Sequence, residues 1–204
     1  IINSIENLKE SGYKLKDIQI ITPINKGNIG TLKLNRLIQE RFNSQRINKP
    51  EIKVGVTKIF RLGDKVMQTI NNYALKVFNG EMGKIIKIDG DNSIRQVIVD
   101  FGDKKVRYID NAISQLTLAY ACTIHKAQGS EFKVVIMPIH SSQSIMLNRN
   151  LIYTAWTRPK EKIICIGDRK ELYKSIDRID VIKRNSRIKD KLIKANKKLI
   201  DIPF

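Results

Sequence analysis

The sequence predicts an α/β protein, a parallel sheet flanked by helices, interrupted by a small antiparallel β-barrel. Three observations predict it. Runs apolar on both faces, 17–21, 134–139 and 163–166, stand near the two ends of the 204-residue chain, as parallel strands covered by helices on each side require. Between about Val56 and Leu116 the texture changes to short strand-like runs broken by turn residues, the pattern of a small barrel. Two polar blocks, Tyr120–Phe132 and Leu151–Arg158, each read as an α/β step of strand, turn and helix.

Taken in order, residues 1–16 form a helix through Ile1, Ile5 and Leu8, stopping near Gly12. The strand 17–21 closes at Thr22-Pro23, Gly27 and Gly30 punctuate the turn, and Leu34, Leu37, Ile38 and Phe42 make a helical stripe over 31–42. Strands follow at 64–70, 83–88, 96–101 and 105–108, broken at Asn71-Asn72, Asn79-Gly80, Asp89–Asn92 and Gly102-Asp103. The α/β pattern then resumes with a strand at 116–121, a short helix at 123–128 ended by Gly129, the strand 134–139, a helix at 145–157 and a buried strand at 163–166. From about Asp180 the tail reads as a helix. Its apolar stripe (Ile188, Leu192, Ala195, Leu199) lies beside a basic one (Arg184, Arg187, Lys191, Lys194, Lys198), more in keeping with a lysine-rich surface helix than with a dedicated contact. Residues 1–56 and 116–204 therefore form one discontinuous domain, with 57–115 as an insertion.

Thirty-eight Lys plus Arg face 20 Asp plus Glu, a formal charge of +18. Such an excess attracts polyanions; a solvated lysine-rich surface is the equal alternative. Cys122 and Cys165 both sit in apolar runs and read as core thiols of a reducing, cytoplasmic compartment. Two histidines and two cysteines without clustering give no metal site, and no run is long enough to span a membrane. No leader opens the chain, and its start at Ile-Ile-Asn fits an excised fragment.

Arg158 is the leading candidate for chemistry: a guanidinium is an always-charged planar fork suited to γ-phosphate oxygens. The alternative is a helix C-terminal cation. Gly129 permits close backbone approach, and Glu131 can accept from ribose hydroxyls. Thr123, His125 and Lys126 offer groups that hold phosphates without reading sequence. No Gly-x-x-x-x-Gly-Lys-Ser/Thr loop and no adjacent Asp-Glu pair occur, so the parts that hold a triphosphate and its Mg2+ are missing.

The blocks Tyr120–Phe132 and Leu151–Arg158 resemble motifs V and VI of superfamily 1 helicases, most closely the RecD-like group (the exodeoxyribonuclease V alpha-chain type). Phe60–Gln68, Asn71–Tyr73 and Val77–Gly83 are similar to that group's inserted SH3-like barrel. Ile20–Gly27 with Gly30, Leu34 and Asn35 is similar to its motif IV, but this chain has no arginine at the turn where many members have one, and Lys26 is the only nearby cation. The resemblance implies a RecA-like, P-loop-NTPase-type second motor domain of an ATP-dependent DNA helicase moving 5′ to 3′. It implies ATP contacts at Gln128, Gly129, Glu131 and Arg158, with Arg158 catalytic. DNA contacts are implied at Thr22, Tyr73, Thr123, His125 and Lys126. ATP and Mg2+ would be held mainly by an N-terminal motor domain, and the partners would be single-stranded DNA, that domain and nuclease-complex subunits. By itself this chain would hydrolyse no ATP. A stand-alone basic nucleic-acid-binding module and the helicase half of a relaxase are the alternatives. In the barrel, Tyr73 is expected to stack on bases and Phe78 to fill the core; Arg61, Lys65 and Lys76 are possible phosphate contacts.

Overall fold

The structure, a computed structural model, describes residues 1–45, 49–90, 95–179 and 191–193. In chain order its elements are α1 (Ile2–Glu10), β1 (Ile18–Thr22), α2 (Thr31–Phe42), β2 (Glu51–Val54), β3 (Lys58–Arg61), β4 (Lys65–Gln68), β5 (Met82–Gly90), β6 (Arg95–Asp100), β7 (Lys105–Ile109), β8 (Leu116–Leu118), β9 (Ala121–Thr123), β10 (Phe132–Ile139), α3 (Arg149–Trp156), β11 (Pro159–Gly167) and α4 (Arg169–Asp177), with short 3-10 turns between them.

Four strands form a parallel sheet in the order β11-β10-β1-β9. Strand alternation divides its apolar residues between two layers. Ile18, Ile20, Val134 and Ile136 meet Ile5, Leu8, Leu34 and Ile38 on one face. Ile21, Cys122, Val135 and Met137 meet Leu147, Ile152 and Ala155 on the other. The free edge of β9 is closed by a side chain: the Asn35 amide donates to the Ala121 carbonyl and accepts from its N–H, both at 2.8 Å. Gly167 ends β11 with φ +131 where a Cβ would stand 1.9 Å from the Ile139 carbonyl oxygen, so only glycine fits.

The second sheet is antiparallel, in the order β7-β6-β5-β4-β8, and the β2–β3 hairpin shares its core through Ile52 and Phe60 beside Val66, Ile85, Val97, Val99 and Tyr108. Two expectations change here. The single strand expected at 116–121 is split: Leu116–Leu118 pairs with β4 in the barrel sheet, and only Ala121–Thr123 joins β1. Strand β2, N-terminal to residue 57, packs with the barrel. The run 116–121, polar only at Thr117, carries no turn residue to mark where it changes sheets.

Other differences are local. The helix expected at 145–157 begins at Arg149, where the Asn148 side chain accepts from the Leu151 N–H. β11 is an edge strand with much of its surface open, so Cys165 is exposed while Cys122 is buried. Most of the expected basic tail helix lies outside the described residues; Lys191–Ile193 is helical. Among the described residues no helix is long and apolar enough to cross a membrane.

The two sheets are joined through a buried carboxylate. Asp64, fully inaccessible, accepts from Tyr120 Oη at 2.9 Å and Asn43 Nδ2 at 2.6 Å on one oxygen, and from Gln39 Nε2 at 2.6 Å and the Arg61 N–H at 2.7 Å on the other. Burial pushes its carboxyl up, and these four donors pull it back. Beside it Lys65 turns inward to the Lys16 and Ile18 carbonyls and lies 5.5 Å from the Phe132 ring. Arg61, 4% exposed, pairs with Glu40 at 3.0 Å and Glu51 at 3.4 Å and donates to the Asn43 carbonyl. Neither cation is a free phosphate contact; both fasten the barrel to the α/β domain.

Removing one partner of such a network strands several buried donors. Asp64→Ala is expected to lower stability by about 3 kcal/mol in urea unfolding, and Asp64→Asn by about 1–2 kcal/mol. A loss below ~0.5 kcal/mol for the alanine variant, the usual range for surface substitutions, would show that the carboxylate does not hold the junction.

Candidate functional site

Because β1, β9, β10 and β11 run parallel, the sheet has distinct amino and carboxyl edges, and the candidate residues sort between them. Thr22 and Thr123 are register partners at the carboxyl edge. Phe132 pairs with Pro159 at the amino edge, which brings Glu131 and Arg158 together. Phe132 lies six residues below the level of Thr123 by these registers, roughly 20 Å at strand rise. The segment 124–131 therefore runs from one edge to the other.

At the amino edge, Arg158 follows the last turn of α3. Its Nε donates to the Thr154 carbonyl at 3.1 Å, one terminal nitrogen to Thr157 Oγ1 at 2.9 Å, and the other reaches the Ser130 carbonyl at 3.5 Å. The side chain is half-buried, every acceptor is neutral, and among the described residues no carboxylate pairs with it. Gly129, at φ +82, and Gln128 are exposed beside it. Glu131 is exposed and pairs with Lys160 at 2.9 Å. Lys160 holds the Glu131 carboxyl below the usual range, with Arg158 adding to the effect from farther away. Lys160 was not singled out from the sequence; its place two residues after Arg158 in a strand was the available signal.

At the carboxyl edge His125 is exposed and Lys126 half-buried. The Thr123 hydroxyl oxygen accepts from the Lys126 N–H at 3.4 Å, shaping the 3-10 turn His125–Ala127. Thr22 does not fit the expectation of a DNA contact. It is fully inaccessible, and its hydroxyl donates to the Ile29 carbonyl at 3.0 Å while accepting from Gln143 Nε2 at 2.8 Å. Gln143, also fully buried, holds the turn after β10 against the end of β1. Lys26 is exposed in the loop that leaves the same edge.

The barrel brings an aromatic pair to this neighbourhood. Tyr73 is 75% and Phe78 46% exposed, so Phe78 does not fill the core as expected. The rings meet edge to face, centroids 6.0 Å apart. Val77 takes the inward position instead. The loop is braced by paired Asn72–Val77 backbone bonds and by the Asn72 and Asn71 side chains, which accept from the Leu75 and Asn79 N–H groups. At its end Gly80 has φ +97, and a Cβ there would stand 4.0 Å from the Lys126 carbonyl. Lys76 contributes its carbonyl to Lys104.

Two protein families match this chain: the ATP-dependent RecD-like DNA helicase SH3 domain over residues 34–101 and the UvrD-like helicase C-terminal domain over residues 118–166. The ATP-dependent RecD2 DNA helicase of Deinococcus radiodurans is 36% identical over 154 residues, 74% of this chain and 20% of that protein. The RecBCD enzyme subunit RecD of Buchnera aphidicola subsp. Schizaphis graminum is 25% identical over 175 residues, 84% of this chain and 28% of that protein. The chain thus spans 20–28% of the length of these relatives. Among solved structures, a Pif1 helicase from Bacteroides in complex with ADP-AlF3 and ssDNA superimposes with a TM-score of 0.53 at 17% identity, covering 97% of this chain and 53% of that one. That is a likeness of fold: a RecA-like second motor domain carrying an SH3-like insertion.

The Thr22 geometry gives a direct check. Thr22→Val removes a buried hydroxyl that both donates and accepts, and is expected to cost about 1–3 kcal/mol of stability, while Thr22→Ser retains most of it. An unchanged unfolding midpoint for the valine variant, with weakened binding to single-stranded DNA, would instead restore Thr22 as a contact.

Proposed function

The chain belongs to the RecD-like superfamily 1 helicases, and from that premise we propose that it is the second motor half of an ATP-dependent DNA helicase. ATP binds against the amino edge of its sheet, and single-stranded DNA passes along the carboxyl edge. The observation that carries this reading is Arg158: a half-exposed guanidinium beside Gly129 and Glu131 that touches only neutral acceptors. Its fork can exchange those acceptors for γ-phosphate oxygens, stabilising the charge that builds there during transfer. Glu131 takes the ribose hydroxyls, and Gln128 and Gly129 bring backbone and amide groups close to the nucleotide.

The residues for binding Mg2+ and cradling the triphosphate lie elsewhere in the protein, since the sequence has neither the phosphate loop nor the Asp-Glu pair. Bound there, Mg2+ supplies charge neutralisation on the phosphates. This chain supplies the cation that reaches the triphosphate from the other side of a cleft, which makes hydrolysis depend on closure.

Along the carboxyl edge Thr123, His125 and Lys126 contact the phosphate backbone, and Tyr73 offers its exposed ring to an unpaired base. Such contacts are indifferent to sequence.

In the intact protein, Arg158→Ala is expected to lower the ATPase kcat by roughly 10³-fold or more, the range of an arginine finger, while single-stranded DNA binding persists. Arg158→Lys recovers little, because a point charge cannot replace the fork. A decrease of less than about threefold, small beside that range, would remove Arg158 from the chemistry. This chain alone is expected to turn over no ATP and to bind oligonucleotides in a salt-dependent way. Of the three contacts only Lys126 neutralises a phosphate, which contributes about −0.7 to the log–log salt slope on single strands; Lys126→Ala is expected to remove that share, and an unchanged slope would contradict the DNA-contact assignment.

A further inference from the structure

Glu131 is bracketed by contacts to Arg158. The residue before it, Ser130, receives the Arg158 guanidinium on its carbonyl; the residue after it, Phe132, donates its N–H to the Arg158 carbonyl at 3.0 Å. An arginine fork and a carboxylate this close would ordinarily pair, and the two-pronged pair is the stronger kind. Here the carboxylate turns instead to Lys160 Nζ at 2.9 Å. Lys160 stands two residues beyond Arg158, near the start of strand β11, which begins at Pro159 just after the arginine.

We infer that Lys160 keeps Arg158 available for its anion by occupying Glu131, acting as a positioning residue rather than as a contact to the nucleotide. Two cations compete for one carboxylate, and the lysine's possession of it leaves the arginine resting on the Thr154 and Ser130 carbonyls and the Thr157 hydroxyl. Those are neutral acceptors that a phosphate displaces easily. The Lys160–Glu131 pair is itself exposed, 59% and 61% for the two side chains, so it is weakly held. Glu131 can therefore leave Lys160 for a ribose without a large penalty. The inference rests on the reading of Arg158 as a phosphate contact, but its electrostatic core, which cation takes Glu131, holds in the absence of nucleotide.

The test compares Lys160→Met, Glu131→Gln and the double variant in the intact protein, with a second readout on this chain alone. Lys160→Met hands Glu131 to Arg158 and is expected to lower kcat about fivefold, the worth of one exposed ion pair, with KM little changed. The double variant is expected to match Glu131→Gln alone, because with no carboxylate there is nothing to capture the arginine. A loss that persists in the double variant identifies Lys160 as a direct phosphate contact and overturns the inference. No loss in Lys160→Met overturns it as well. Independently of ATP, the Arg158 Nε–H resonance of this chain should shift and exchange more slowly in Lys160→Met and revert in the double variant; an unmoved resonance contradicts the competition. Arg158→Ala in the same assay separates the two ideas: if it leaves kcat intact, the phosphate reading has failed, and the resonance alone decides on Lys160.

Discussion

The Asp64 carboxylate is the interaction on which the arrangement of this molecule depends. Gln39 and Asn43 reach it from α2, Tyr120 from the chain entering β9, and Arg61 from the barrel's own hairpin. A buried charge is costly unless every lone pair is met, so the four donors must arrive together. That requirement fixes the barrel against the α/β domain at one orientation. Lys65 and Arg61, which a count of surface cations would assign to nucleic acid, are drawn into the same junction. Because the barrel is fixed there, the loop carrying Tyr73 and Phe78 ends beside the Lys126 carbonyl.

The parallel sheet then separates two kinds of chemistry by the length of a strand. Arg158 and Glu131 stand at its amino edge, and His125 and Lys126 at its carboxyl edge, joined by one short segment that belongs to both. A sheet packed on both faces is stiff. On the proposed reading, a pull on the amino edge by a triphosphate would be delivered to the carboxyl edge as a movement of the whole domain, with the barrel and its aromatic pair carried along. Electrostatics at the amino edge are delicately set, since one carboxylate lies within reach of two cations.

Much of this was legible in the sequence because it depended on local pattern. The helical stripe of α2, the apolar runs of β1 and β10, and the Gly-Ser-Glu turn all announce themselves by spacing. So did the arginine at the end of Leu151–Arg158, although its neutral acceptors could be known only from the fold. What stayed hidden depended on contacts between distant residues. Asp64 reads as a turn former after Gly63, and nothing nearby shows that Tyr120, 56 positions later, will reach it. The split at Ala119 is silent because no turn residue separates the two halves of the run. Phe78 and Val77 compete for one inward position, and an extended loop does not reveal which will take it. Thr22 sits where a contact residue should, but Gln143 arrives from 121 residues away to bury its hydroxyl.

The central claim is that Arg158 leaves its resting acceptors for a phosphate supplied by another part of the protein. A crystal structure of the intact protein with a γ-phosphate mimic and Mg2+ tests it most directly. The guanidinium is expected to have released Thr157 Oγ1 and to donate to the mimic's oxygens. A guanidinium still resting on Thr154 and Thr157, with the nucleotide bound and the cleft closed, would contradict it.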